Sequence, residues 1–182
     1  MAGAGFLAAC GSMFGQPKGP TCPTVNILPD ASRVTVYRTG PGRDLSDVAY
    51  EARVIGFDGD CLYKAANKDK EKDGKFTEVT LNVRPRFRVV PGPALTGSRV
   101  ALNYFVAMPE FYPNPEGRAD FSRDADVPAN RTPFELVDSD IQVNIPLGEA
   151  RAGESVPVYI GFILTEEQLQ QNRRGTGGRL EP

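Results

Sequence analysis

Alternation of apolar and polar residues is clearest over residues 76–90. Every odd-numbered residue from 79 to 89 is apolar, and every even-numbered residue from 78 to 88 is polar or charged. Because side chains alternate across an extended chain, this period of two predicts a β-strand with one buried face. Pro85 lacks the amide hydrogen that a ladder needs, so we expect this strand to lie at a sheet edge or to bend there.

The same period recurs along most of the chain. It predicts further strands at residues 24–28, 33–38, 47–57, 61–65, 99–108, 134–137, 141–145 and 155–164. The segment Asp58-Gly59-Asp60 is typical of a hairpin turn between two strands. We expect residues 76–90 and 99–108 to pair antiparallel. Residues 109–133, which are rich in Pro, Asp and Arg, are expected to be irregular.

The end of the chain predicts one short helix and then a polar tail. Thr165 can cap a helix over residues 166–171, and Gln168 stands where a capping box needs Glu or Gln. Residues 173–182 are expected to be a flexible tail. Together with Gly 19 and Pro 16, these patterns predict an all-β fold for residues 22–172. We expect an immunoglobulin-like antiparallel β-sandwich of about 7–9 strands with a short C-terminal helix. A jelly roll or a partly open barrel is the alternative.

Composition excludes several classes of function. Lys+Arg total 21 and Asp+Glu total 23, so the net charge of -2 lacks the basic excess of a general nucleic-acid binder. The chain has no histidine, which excludes Ser-His-Asp and Cys-His catalysis and every histidine metal site. No motif selects a catalytic pair of carboxylates, so we expect no enzymatic activity and no cofactor. No run reaches the roughly 18 apolar residues of a membrane-spanning helix.

The beginning of the chain carries a short cysteine motif. Leu7-Ala8-Ala9-Cys10 follows an apolar run and precedes Gly11. This motif resembles the lipobox of bacterial lipoproteins, in which the signal is cut before a cysteine that becomes diacylated on sulfur. The resemblance implies a signal peptide in residues 1–9, lipidation of Cys10 and a tether over residues 10–21. Residues 1–9 contain no Lys or Arg, so the signal peptide is expected to be truncated. In this family Gly11, in place of aspartate, implies the outer membrane.

The rest of the chain is similar to small exported lipoproteins of Gram-negative bacteria that have no assigned function. The similar segments are C-P-x-V from Cys22 and G-F-x-L-T-x-E-Q-L from Gly161. Export implies an oxidising compartment, in which a disulfide persists. Once Cys10 is lipidated, Cys22 and Cys61 remain, and we expect them to form a disulfide with each other. The alternative is two separate buried thiols.

Arg84, Arg86 and Arg88 are the candidate partner-binding residues. On one strand they form a row with steps of about 7 Å, which could face lipid phosphates, an anionic polysaccharide or an acidic partner. The alternative is a solvated strand face that discourages edge-to-edge aggregation.

Two further groups of residues suggest other chemistry. Alternate aspartates could bind Ca²⁺, best at Asp120, Asp124 and Asp126, although aspartate is also a common turn residue. An exposed aromatic lip is the second group, formed by Tyr104, Phe105, Phe111 and Tyr112. Such aromatic residues more often close the end of a core.

These observations favour an envelope-anchored lipoprotein. We expect its β-sandwich to be a non-enzymatic binding or accessory subunit of a larger envelope complex. The lipid anchor would hold it on the membrane, facing the periplasm, and an envelope protein would be its partner. The alternative is a module that binds a glycan or Ca²⁺, and the third reading is an enzyme acting on cell-wall sugars.

Overall fold

The computed structural model describes residues 20–72, 75–147 and 156–175. Within these ranges the chain forms nine strands, two short α-helices and four single-turn 3-10 helices. In chain order the strands and α-helices are β1 (Val25–Ile27), β2 (Arg33–Tyr37), β3 (Val48–Lys64), α1 (Lys68–Lys72), β4 (Glu78–Pro91), β5 (Arg99–Ala107), β6 (Arg118–Asp126), β7 (Phe134–Val137), β8 (Ile141–Pro146), β9 (Val158–Phe162) and α2 (Glu166–Arg174). No helix in the described residues has the length and apolar character needed to cross a membrane.

The strands form two sheets that pack face to face. Sheet A has the strand order β1-β9-β5-β6, and sheet B has the order β2-β3-β4 with β7 and β8 sharing the far side of β4. Phe87 of sheet B meets Tyr104 and Phe162 of sheet A, with ring centroids 5.0 and 5.7 Å apart. All three side chains are fully buried. This arrangement confirms the predicted β-sandwich with a short C-terminal helix.

The predicted hairpin turn at Asp58-Gly59-Asp60 is wrong. β3 continues through these residues and pairs with β4 from Tyr50 to Lys64. Gly59 lies opposite Val83, and a Cβ at Gly59 would come 2.5 Å from the backbone oxygen of Asn82. The glycine therefore allows two strand backbones to approach closely. In the sequence alone, a glycine in this role cannot be distinguished from a glycine in a turn.

The first of the two expectations at Pro85, a sheet edge, is wrong, while the register between β3 and β4 shifts close to it, between Val54 and Gly56. β4 lies inside sheet B, with β3 on one side and β7 and β8 on the other. Pro85 falls where the partner changes from β8, which ends its pairing at Val83, to β7, which begins at Arg86. Its carbonyl accepts the backbone N–H of Asp138, which lies in the link between β7 and β8. At this gap neither β7 nor β8 needs a backbone N–H from residue 85, so a proline is tolerated in a central strand.

The predicted pairing of residues 76–90 with residues 99–108 is wrong, since β4 belongs to sheet B and β5 to sheet A. β4 is already paired on both sides, so β5 crosses to the other sheet. There it pairs with β6 and β9. The expectation that residues 109–133 are irregular is wrong for residues 118–126, which form β6. Arg123 shares the inner face of β6 with Phe121, which conceals the apolar alternation.

The predicted C-terminal helix is present and three residues longer than expected. The Thr165 hydroxyl accepts the N–H of Gln168, and the Gln168 side chain accepts the N–H of Thr165. This capping box confirms the predicted helix start. The helix continues to Arg174 and ends at Gly175, so the tail cannot begin at residue 173. Residues 176–182 lie outside the described residues.

α2 also closes the free edge of β2. The side-chain amide of Gln168 donates to the carbonyl of Thr35 at 3.1 Å, and that of Asn172 donates to the carbonyl of Arg33 at 2.9 Å. Residues four apart on a helix thus match residues two apart on a strand. Because these carbonyls have no strand partner, the helix protects an edge that could otherwise pair with another chain.

The predicted disulfide between Cys22 and Cys61 is present, with a Cα–Cα distance of 5.7 Å. Cys61 lies near the end of β3, opposite Leu81 of β4. The Tyr63 hydroxyl donates to the carbonyl of Thr21 at 2.6 Å, which adds a second contact at the same place. The chain therefore enters the domain at this end of sheet B. Residues 1–19, including Cys10, lie outside the described residues.

Candidate functional site

Arg84, Arg86 and Arg88 lie together on the outer face of sheet B. Their intervening neighbours on β4, such as Phe87, point into the core. The exposed fractions of the three side chains are 46%, 45% and 38%. The three arginines therefore share one outward face, as predicted. Their role in binding a partner stays a prediction.

Two more arginines extend this row across the sheet. In the strand register Arg88 lies opposite Arg53 of β3, and Arg53 lies opposite Arg33 of β2. Adjacent strands are about 4.8 Å apart, so three arginines occupy neighbouring positions on three strands, and Arg33 Nε also donates to Asn172 Oδ1 of α2 at 3.2 Å. We call the five residues Arg33, Arg53, Arg84, Arg86 and Arg88 the arginine surface.

The sequence contained part of the signal for this larger surface. Arg33 precedes the apolar alternation of Val34 and Val36, and Arg53 lies between the buried Ala52 and Val54. Each is therefore expected on an outer face. What the sequence could not supply is the register between β2, β3 and β4, and that register alone aligns Arg33 and Arg53 with Arg88.

Carboxylates compensate the arginine surface only in part. Glu135 of β7 is 4.0 Å from Arg86 and 3.7 Å from Arg88, so two guanidiniums share one carboxylate. Asp140 is 3.5 Å from Arg84. These pairs are well exposed to water, where ion pairs contribute little to stability. Asp58 also lies opposite Arg84 in the strand register. Each guanidinium has five N–H donors, so these contacts leave further donors for carboxylate or phosphate oxygens of a partner.

The three aspartates considered for Ca²⁺ do not form a ligand group. Asp120 accepts from Arg118 Nε at 2.8 Å, and Asp126 accepts from Arg99 Nε at 3.1 Å. Among the described residues, no group of three or more His, Cys, Asp or Glu side chains could hold a metal ion. The aspartates of β6 instead alternate with its inward residues on one outer face.

The aromatic lip considered from the sequence does not form, and the alternative of residues that close the core fits better. Tyr104 is buried and donates its hydroxyl to Asp138 Oδ2 at 2.6 Å. The guanidinium of Arg118 covers the ring of Phe105 at 4.4 Å, and Phe111 packs against the core. Only Tyr112 of the four is well exposed, at 83%.

Asp138 and Tyr104 form a polar contact between the two sheets. Ser139 N–H donates to Asp138 Oδ1 at 2.7 Å, and Arg123 Nε lies 3.5 Å from the same oxygen. Burial and the hydrogen bond to Asp138 both raise the pKa of Tyr104 well above the ordinary value for tyrosine. The phenol therefore stays protonated and acts as a fixed donor to the carboxylate.

An apolar groove opens between the two sheets beside the first half of β6. Its volume is about 400 Å³, which is within the range of small-ligand sites. The carboxylate side chains of Glu78 and Glu116 also line it. Apolar lining comes from β5, β6, β8 and the residue after β5, namely Val106, Met108, Ala119, Phe121, Ile141 and Val143. Sequence reasoning missed this groove because it depends on β6, which was expected to be irregular.

Comparisons with known proteins give no match. No family model, no curated protein and no solved structure is similar to this chain at a significant level. Functional inference therefore depends on the chain's own residues and geometry. The arginine surface, the entry of the chain at the disulfide and the groove beside β6 are the three features that such an inference can use.

Proposed function

We propose that this protein is an envelope-anchored lipoprotein whose β-sandwich acts as a non-enzymatic binding or accessory subunit of a larger envelope complex. The observation that carries the proposal is the arginine surface. Arg33, Arg53 and Arg88 are direct cross-strand neighbours, and like charges in that position destabilise a sheet. An acidic partner would convert this repulsion into charge-assisted hydrogen bonds.

Anchoring is supported by the beginning of the chain. The lipobox-like Leu7-Ala8-Ala9-Cys10 precedes Cys22 by a short stretch rich in Gly and Pro. The Cys22–Cys61 disulfide is of a kind that persists in exported proteins and is rare in the cytosol of mesophiles. A lipid on Cys10 would hold the domain by its Cys22 end, and the arginine surface would lie within a few nanometres of the membrane.

The test compares what the full-length protein carries with it when the arginine surface is altered. Cells producing the wild type or the triple variant Arg84→Gln/Arg86→Gln/Arg88→Gln are treated with a cross-linker, and the tagged protein is purified from membranes for quantitative mass spectrometry. We expect an envelope protein with an acidic surface to be enriched with the wild type and lost from the triple variant. Added salt should weaken the wild-type association in the same way.

A control variant with the same change in net charge is Lys75→Gln/Arg99→Gln/Arg118→Gln. Arg99 and Arg118 lie on sheet A, and the exposed Lys75 precedes β4, so all three are away from the arginine surface. The control should keep the partner of the wild type. Surface changes of this kind leave folding nearly unchanged, so loss of a partner would report on the arginine surface itself. Retention of every wild-type partner by the Arg84/Arg86/Arg88 variant would contradict the proposal.

A further inference from the structure

β6 is the nine-residue strand at one edge of sheet A. It pairs with β5 on one side only. The β2 edge is closed by the amide groups of α2. β1 has three residues, and β8 contains Pro146, which provides no N–H. An open edge of nine residues is a ready template for an added strand.

The ladder to β5 determines which groups of β6 face this open edge. Val127 N–H donates to the Ser98 carbonyl, and Met108 N–H donates to the Gly117 carbonyl. These bonds place the odd-numbered residues of β6 in bonding positions with β5. In an antiparallel pair the alternate residues point their N–H and C=O groups the other way. The groups that face outwards belong to Arg118, Asp120, Ser122, Asp124 and Asp126.

The apolar groove lies directly beside the first half of this edge. Ala119 and Phe121 project from β6 into the groove, and Ile141 and Val143 of β8 form its opposite wall. A strand added to β6 would direct every second side chain to the same side as Ala119 and Phe121. Those side chains would enter the groove, so they need to be apolar.

The other face of the added strand would meet carboxylates. Asp120, Asp124 and Asp126 share the outer face of β6, where Asp120 pairs with Arg118 and Asp126 with Arg99 of β5. Asp124 lies opposite Ala101, which offers no charge. Glu78 and Glu116 add further negative charge at the groove. Because opposite charges on neighbouring strands stabilise their pairing, the outward side chains of the partner should be basic.

We propose that β6 binds an extended peptide segment of a partner protein that alternates apolar and basic residues, and that this segment adds to sheet A as its next strand. Backbone hydrogen bonds would provide affinity, and the groove and the aspartates would provide specificity. This site lies on a different sheet from the arginine surface and does not depend on it.

The test uses three fluorescent nine-residue peptides and the full chain, with binding measured by fluorescence anisotropy. One peptide alternates Val and Lys, the second alternates Val and Glu, and the third has the Val and Lys residues of the first in two blocks. We expect the alternating Val/Lys peptide to bind at least about tenfold more tightly than the other two. Equal binding of the block peptide would overturn the proposal, because it would show attraction by charge alone.

Ser122 offers a sharp variant, since its N–H faces the open edge. Ser122→Pro removes that donor without breaking a bond to β5, and it should weaken binding of the Val/Lys peptide by about tenfold. Ser122→Ala keeps the N–H and should bind as the wild type does. Circular dichroism checks the fold of both variants. Equal affinity of a folded Ser122→Pro variant would overturn the proposal.

Asp124→Arg tests the same site if proline disturbs the fold. It should lower the preference for the Val/Lys peptide over the Val/Glu peptide by at least about tenfold, and an unchanged preference would overturn the proposal. The Arg84→Gln/Arg86→Gln/Arg88→Gln variant should bind the Val/Lys peptide as the wild type does. Failure of peptide binding in a protein that keeps its envelope partner would overturn this inference and leave the proposed function standing.

Discussion

Replacing Tyr104 by phenylalanine should remove one of the strongest polar contacts between the two sheets. The Tyr104 hydroxyl donates to Asp138 Oδ2 at 2.6 Å, and the exposed fractions are 1% for Tyr104 and 9% for the Asp138 side chain. The new side chain keeps the ring that packs on Phe87 and Phe121. The change therefore removes the hydrogen bond and leaves the packing.

The expected loss in the free energy of unfolding is about 2 kcal/mol. A hydrogen bond to a charged group contributes about 1.5–3 kcal/mol, and burial of both partners gives water little access to replace it. Asp138 keeps Ser139 N–H and Arg123 as partners, so the carboxylate is not left without compensation. A loss of this size corresponds to a fall of about 6 °C in melting temperature for a chain of this length.

Urea denaturation followed by circular dichroism measures the effect, with Tyr50→Phe as the matched control. The Tyr50 hydroxyl also crosses between the sheets, but it donates to the neutral carbonyl of Ala101. Loss of a neutral hydrogen bond costs about 1 kcal/mol. Equal losses in the two variants, or a loss below about 0.5 kcal/mol for Tyr104→Phe, would refute the reasoning that the charge of Asp138 strengthens this contact.

Three further predictions concern pH, the disulfide and a glycine. Burial raises the pKa of Tyr104 and of Tyr50, so stability should fall as the pH rises above about 10, because the unfolded chain ionises first; Tyr104→Phe should reduce this slope in denaturation curves. Reduction of the Cys22–Cys61 disulfide, which has a sequence separation of 39, should cost about 4 kcal/mol in urea denaturation, and an unchanged midpoint would contradict this. Gly59→Ala should cost about 2 kcal/mol by the same measurement, since its Cβ would meet the Asn82 carbonyl; a neutral effect would show that β3 and β4 can separate there.

The sequence was sufficient for the fold class and for most strand positions because each depends on local alternation. The buried residues of β4 and β5 follow the period of two throughout. The capping box at Thr165 and Gln168 is equally local. These features do not require knowledge of which strand lies beside which.

The errors concern contacts between distant parts of the chain. Gly59 is a residue typical of turns, and Pro85 is a residue typical of sheet edges. Only the partners of β3 and β4 explain why both lie inside a sheet. β6 is an edge strand with charged residues on both faces, so it has no clear alternation. The groove and the extended arginine surface depend on the same long-range register, and for that reason the sequence predicted three arginines of the five.

Metabolic labelling with a clickable fatty acid tests the central claim, envelope anchoring, most directly. The full-length protein is produced in Gram-negative cells as the wild type, as Cys10→Ser and as the double variant Cys22→Ser/Cys61→Ser. Lipidation at the lipobox-like cysteine predicts label on the wild type and on the double variant, and none on Cys10→Ser. An unlabelled wild type, or label that persists on Cys10→Ser, would contradict the account of an envelope-anchored lipoprotein.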